Sequence, residues 1–234
     1  MSKPLFVISS PFDCYSGYSA RSRDLIKAII ELDKYNVKLV PQRWGSTEWG
    51  FCKAHPEWQF LWDYIITSEY ERVQPDIWMQ ITIPSEFNPI GKYNIGVTAG
   101  IEATVCKVEW IDGMNKMDMN WVSSTFTKEM FLGVGYNQTN QKTNVIEKVI
   151  KIEKPIHVVF EGANLDIYKP LKSTEVKSIN FDTIPENFCF LSVGHWMQGD
   201  LGHDRKNMGL MILHFLETFK NTKNPPALIL KSSV

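Results

Sequence analysis

The sequence predicts an α/β protein built on a parallel sheet with covering helices, and three observations carry that prediction. Short apolar runs rich in β-branched residues alternate with longer stretches of helical period. Polar, glycine-containing loops follow several of the predicted strands. After residue 187 the strand–loop–helix–strand pattern starts afresh, so a second unit of the same class is expected to begin there.

Taken in order, Leu5 to Ser9 reads as the first strand and Pro11 to Ser19 as a polar loop. Ala20 to Leu32 follows as a helix with Leu25, Ile26, Ile29, Ile30 and Leu32 largely on one face. Val37 to Val40 is a strand ended by Pro41, and Gln42 to Pro56 a loop rich in Trp and Gly. A helix is expected from Glu57 to about Arg72, carrying Trp58, Phe60, Trp62 and Tyr64. Asp76 to Gln80, Asn94 to Thr98 and Asn120 to Ser123 read as strands, with a helix over Thr104 to Met114. Thr125 to Leu132 is a short helix ended near Gly133 and Gly135, and Gly135 to Thr143 an exposed polar loop. Ile156 to Phe160 is a further strand.

The expected domains are 1–170 as a first Rossmann-like unit, 171–187 as a linker and 188–234 as the start of a second. In that last part Phe188 to Val193 is a strand, Gly194 to Asp204 a loop, Lys206 to Lys220 a helix and Ala227 to Leu230 a strand. One β-α-β unit cannot close a core by itself, so the second domain is expected to be incomplete in this chain.

The totals narrow the class. Of 234 residues, 44% are apolar and 22% charged, as in ordinary globular proteins. A formal net charge of −1 argues against general electrostatic binding to nucleic acid. No apolar run has bilayer-spanning length, and the N-terminus reads as a strand and not as a secretory signal. The four cysteines at 14, 52, 106 and 189 are far apart, which suits reduced thiols in a cytoplasmic protein.

In open parallel sheets, ligands meet the loops and helix N-termini at the C-terminal ends of the strands. Four segments qualify. Ser16-Gly17-Tyr18-Ser19 with Arg21 follows the first strand, and Gly17 would let a ligand approach the backbone; a plain strand-to-helix turn explains it equally well. Glu102 lies in a loop after a strand, either touching substrate or sitting at a helix start that favours acids. Ser123 and Ser124 precede a helix, where capping is the first expectation and substrate contact is compatible with it. Arg205 and Lys206 stand at a helix start, where two cations oppose the dipole; a bound diphosphate would resolve that conflict. His195, His203, Asp200 and Asp204 match no metal-ligand spacing. Trp44, Trp49, Phe51 and Trp58 could stack on a sugar ring, with packing the default.

These segments, in this order, resemble the family 4 ("group 1") glycosyltransferases of the GT-B fold. The resemblance rests on SSPFDCYSGYSARSRDLIKAI, on GIEATVCKVEWIDGMNKMDMNWVSSTFTKEMF with Asp118, Trp121, Val122, Ser124 and Phe126, on VVFEGANLDIYKP with Gly162, Asn164, Asp166, Tyr168 and Pro170, and on FLSVGHWMQGDLGHDRKNMGLMILHF with Gly194. It implies transfer of a sugar from a nucleotide-diphospho-sugar to a saccharide or other hydroxyl acceptor, with retention and without a cofactor or bound metal. Arg205 and Lys206 would neutralise the leaving diphosphate, and Glu102 would serve the acceptor side. Gly17, Tyr18, Arg21, Ser124, Gly162 and Gly194 would line the substrates. The family's acidic E-x7-E element lies beyond the point where this chain stops, so a C-terminal remainder or partner chain is expected, and the chain alone should be weak or inactive. A glycan- or partner-binding module without turnover is the alternative. Peripheral contact with a membrane is compatible with either.

Overall fold

The computed structural model describes residues 3–70, 72–100, 103–172, 183–196, 199–204 and 206–233. The chain divides into two compact units, one through Asn164 and a second from Leu165. Most of the expected linker, 173–182, lies outside the described residues.

The first unit is built on a six-stranded sheet: β1 (Leu5–Ser10), β2 (Asn36–Pro41), β3 (Ile77–Ile81), β4 (Tyr93–Thr98), β5 (Met119–Val122) and β8 (Ile156–Val158). Its spatial order is β2-β1-β3-β4-β5-β8, and every pairing is parallel. The expected α/β class is therefore the one observed. Each helix of this unit follows a strand: α1 (Gly17–Glu31), the single turn α2 (Phe51–Ala54), α3 (Val108–Lys116) and α4 (Thr125–Gly133).

β1 is buried at all six positions, as a central parallel strand covered on both faces must be. Its side chains alternate between two cores. Leu5 and Val7 join Ile111 and Met114 of α3 and Met130 and Phe131 of α4 on one face. Phe6 and Ile8 join Ile26 and Ile29 of α1, with Leu61, on the other. Burying each such aliphatic side chain contributes about 1.5–3 kcal/mol before entropy is charged against it. On the first face, α3 approaches the short 3-10 turn Pro84–Glu86 so closely that a Cβ at Gly113 would lie 1.8 Å from the Pro84 carbonyl oxygen. Glycine is required there by space.

Two expectations are corrected. The α-helix expected over 57–72 is instead a 3-10 helix, Pro56–Tyr64, with a second 3-10 turn at Ser68–Tyr70. The aromatic residues at 58, 60, 62 and 64 recur every second position, a period that no single α-helical face can bury. The loop expected over 135–143 is half of an antiparallel pair, β6 (Gly135–Thr139) with β7 (Ile146–Lys151). Its strands are mostly exposed, Ile146 and Val149 included, and Tyr136 and Ile150 pack toward the core. The Tyr136 hydroxyl donates to the Cys106 carbonyl, tying the pair down.

The second unit contains β9 (Cys189–His195), α5 (Met208–Phe219) and β10 (Ala227–Ser233), with β9 and β10 parallel. Phe190 meets Phe215 and Phe219 of α5 at ring-centroid distances of 5.9 and 5.8 Å. The alternate positions of β9, Leu191 and Val193, are 66% and 69% exposed. One sheet face is thus covered by the helix and carries its aromatic core, while Leu191 and Val193 on the other stay bare.

Candidate functional site

The strand order reverses direction between β1 and β3, which is where open α/β sheets hold ligands, outside the carboxyl ends of the strands. At that edge the loops after β1 and β2 are knitted together. The Tyr15 amide donates to the Glu48 carbonyl at 3.1 Å and the Gln42 amide to the Ser10 carbonyl at 2.9 Å. Asp13, 1% exposed, takes the Gly50 and Phe51 amides on its carbonyl and the Cys52 amide on its carboxylate at 2.7 Å. Arg23, also buried, donates to the Phe12 and Cys14 carbonyls at 2.7 and 3.2 Å and lies 3.5 Å over the Phe51 ring. Burial lowers the Arg23 pKa from its ordinary value, with the Asp24 and Asp13 charges among the groups opposing it. Burial, reinforced by the Asp13 carboxylate, pushes the Cys52 thiol up to about 12. Cys52 is thus a neutral packing group and no nucleophile.

α1 opens on this rim. Ser16 is its N-cap, its hydroxyl accepting from the Ser19 amide at 3.1 Å, and the first turn holds no acidic residue. Gly17 is exposed, and a Cβ there would meet nothing within 4 Å. Tyr18 reaches across the end of β3 to β4: its hydroxyl pairs with the Thr98 hydroxyl at 2.9 Å and accepts from the Ala99 amide at 3.1 Å. Its ring stacks on Trp44, 4.0 Å between centroids. Arg21 turns elsewhere. It donates to the Val159 and Phe160 carbonyls and lies 3.8 Å from the Glu161 carboxylate, so it anchors the chain that leaves β8. Burial lowers its pKa, with Glu161 and Asp24 opposing.

Ser124 is the N-cap of α4, accepting from the Thr127 amide at 3.1 Å and donating to the Thr127 hydroxyl at 3.0 Å. Gly162 is exposed with no neighbour within 4 Å of a Cβ. Glu102 lies outside the described residues. A carboxylate that the sequence reading passed over, Glu86, accepts from the Thr82 hydroxyl just past the end of β3. Its signal was an acid within five residues of a strand end, hidden behind Pro84.

In the second unit Gly194 belongs to β9 and not to the loop expected after it, and its Cβ position faces the Met208 sulfur at 4.0 Å. Arg205 lies outside the described residues, and Lys206 is exposed. The conflict expected at this helix start is met from within. Asp204, 3% exposed, accepts from the Lys206, Met208 and Gly209 amides at 3.2, 3.0 and 3.4 Å. An acid therefore already stands where the dipole favours one. A cavity of about 630 Å³, lined by Phe188, Phe190, Phe219 and Lys223 among others, opens at the opposite, N-terminal ends of β9 and β10.

Among the described residues no cluster of metal-ligating side chains occurs, and no helix is long and apolar enough to cross a membrane. No protein-family model, curated protein or solved structure matches this chain. The first rim thus brings together the N-terminus of α1, the exposed Gly17 and the stacked rings of Tyr18 and Trp44.

Proposed function

We propose that the chain acts on a nucleotide-diphospho-sugar and transfers its sugar to a hydroxyl acceptor, as a family 4 glycosyltransferase does. The observation that supports this most is the start of α1, set where the strand order reverses, with an exposed glycine and no acid in its first turn. Diphosphate oxygens suit that end, because backbone N–H groups and the helix dipole both favour negative charge. In the reaction the anomeric C–O bond to the diphosphate breaks and a bond to the acceptor oxygen forms, the acceptor proton passing to a leaving oxygen or a carboxylate. Arg205 and Lys206 would stabilise the charge that develops on the leaving diphosphate, and Glu102 would act on the acceptor side. We assign the protein to the cytoplasm, where its four free cysteines stay reduced.

The test is calorimetry of the full chain with UDP, GDP and ADP and their glucose conjugates, followed by an assay for sugar-dependent nucleotide release. Binding in the micromolar to millimolar range, weakened by Lys206→Ala, supports the reading. No binding of any of the six compounds overturns it. The Asp204 carboxylate at the start of α5 favours a second reading, a glycan-binding module without turnover, since it fills the helix end that a diphosphate would need. Glycan binding unaffected by every nucleotide-sugar would select that second reading.

A further inference from the structure

The loop between β2 and α2 has a composition that the phosphate-binding role of α1 leaves unused. Residues 42–50 read QRWGSTEWG, two indoles set among an arginine, two hydroxyls and a carboxylate. Its bends are fixed by glycine: Gly45 and Gly50 have φ of 51° and 98°, in the left-handed region that other residues enter at a cost. It is tied to the β1 loop by an antiparallel bridge between Cys14 and Trp49, made by the Tyr15 amide to the Glu48 carbonyl and the Gly50 amide to the Asp13 carbonyl.

Trp44 is the centre of this arrangement. One face of its indole lies on Tyr18, whose hydroxyl is fixed by Thr98 and Ala99, so the indole plane is set by the body of the sheet. Trp44 stays half-buried and joins neither core cluster, whereas the half-buried Trp58, Trp110 and Trp121 pack against them. Arg43, Ser46 and Glu48 on the same loop are all exposed, and the Arg43 guanidinium lies 5.6 Å over Trp49.

We propose that Trp44 is a stacking platform for the pyranose ring of a saccharide, with Arg43 and Glu48 as partners for its hydroxyls. A pyranose presents an apolar C–H face and a rim of hydroxyl groups. A fixed aromatic plane suits the face, and charged side chains with two-pronged hydrogen-bonding geometry suit the rim. Calling that saccharide the acceptor rests on the transferase reading above; its binding to the loop does not.

The experiment is saturation-transfer NMR on the full chain with the methyl glycosides of glucose, galactose and mannose, and separately with UDP. Transfer is expected to the ring C–H protons of at least one glycoside. Trp44→Ala should weaken that glycoside by about three- to tenfold, the scale of one aromatic contact, while Trp44→Phe keeps most of the affinity. Because Trp44 supports Tyr18, each variant is checked by its melting curve. Glu48→Gln and Arg43→Ala, which alter exposed groups, should weaken the glycoside without moving the melt. The platform is overturned if no glycoside shows transfer, if Trp44→Ala binds as wild type does, or if both exposed-group variants bind unchanged when Trp44→Ala fails to fold. Glycoside binding without UDP binding would strike the transferase reading and leave the platform standing.

Discussion

Two helices of this chain follow parallel strands in the same way and finish their N-termini differently. α1 is capped by the neutral hydroxyl of Ser16 and has no acid in its first turn. At α5 the N-cap Asn207 makes no side-chain cap bond, and the buried carboxylate of Asp204 ahead of it takes the Lys206, Met208 and Gly209 amides. The shared local pattern therefore ends in a neutral cap at one helix and in a buried carboxylate beside the other, so position on the sheet does not fix the charge at a helix start.

The largest effect should come from loosening the loop that carries the first helix end. Arg23→Ala removes the donor to the Phe12 and Cys14 carbonyls and is expected to cost about 3 kcal/mol, read from the midpoint of urea unfolding. A loss below about 1 kcal/mol would mean that the rim is held by other contacts. Next, Asp204→Ala should cost about 1–2 kcal/mol for the lost acceptor. It should also create an orthophosphate site at α5, seen as protection of the Met208 and Gly209 amides from exchange that phosphate confers and added salt weakens. Protection unchanged by phosphate would show that an emptied helix end is not enough.

Alkaline pH tests the first loop without mutation. The Cys52 thiol is at about 12 in the fold against 9.0 for an unperturbed thiol. Below pH 9 both states keep the proton and no difference arises. Between about 9 and 12 the unfolded chain loses it first, so stability falls by up to about 1.4 kcal/mol per pH unit. Cys52→Ala should flatten that part of the stability curve. The smallest effect is the sharpest comparison. Ser16→Asp gives α1 a carboxylate at its start, as α5 has, and should stabilise by less than about 1 kcal/mol while weakening UDP at least several-fold. UDP binding left intact would place the nucleotide elsewhere.

Much of the sheet was legible because its strands are buried on both faces. Leu5–Ser10 opens on a continuous apolar run, LFVI, and is buried at all six positions, and such a run reads as a strand without knowledge of its partners. The β6–β7 pair was not legible, since Gly135 to Thr139 offers no apolar alternation and is held through Tyr136 and its hydroxyl. The strand order was not legible either, because pairing across distant segments leaves no mark in local period. At the candidate site, the Ser124 cap followed from residue type and place. Asp204 did not: the cations at 205 and 206 drew attention, and nothing local says that the preceding acid folds back over its own helix.

The open space around Gly17 bears on which substitutions the chain would tolerate. A methyl group there touches nothing, and alanine is the better helix former, so folding makes no demand for glycine at this position. Gly113 is the opposite, since any larger residue collides with the Pro84 carbonyl. In a saturation scan scored by cellular abundance, position 113 should accept glycine alone and position 17 almost anything. Scored instead by survival on the protein's activity, the two positions should become equally intolerant if a ligand rests on the backbone of Gly17. A residue silent in the first scan and essential in the second marks the floor of a binding site.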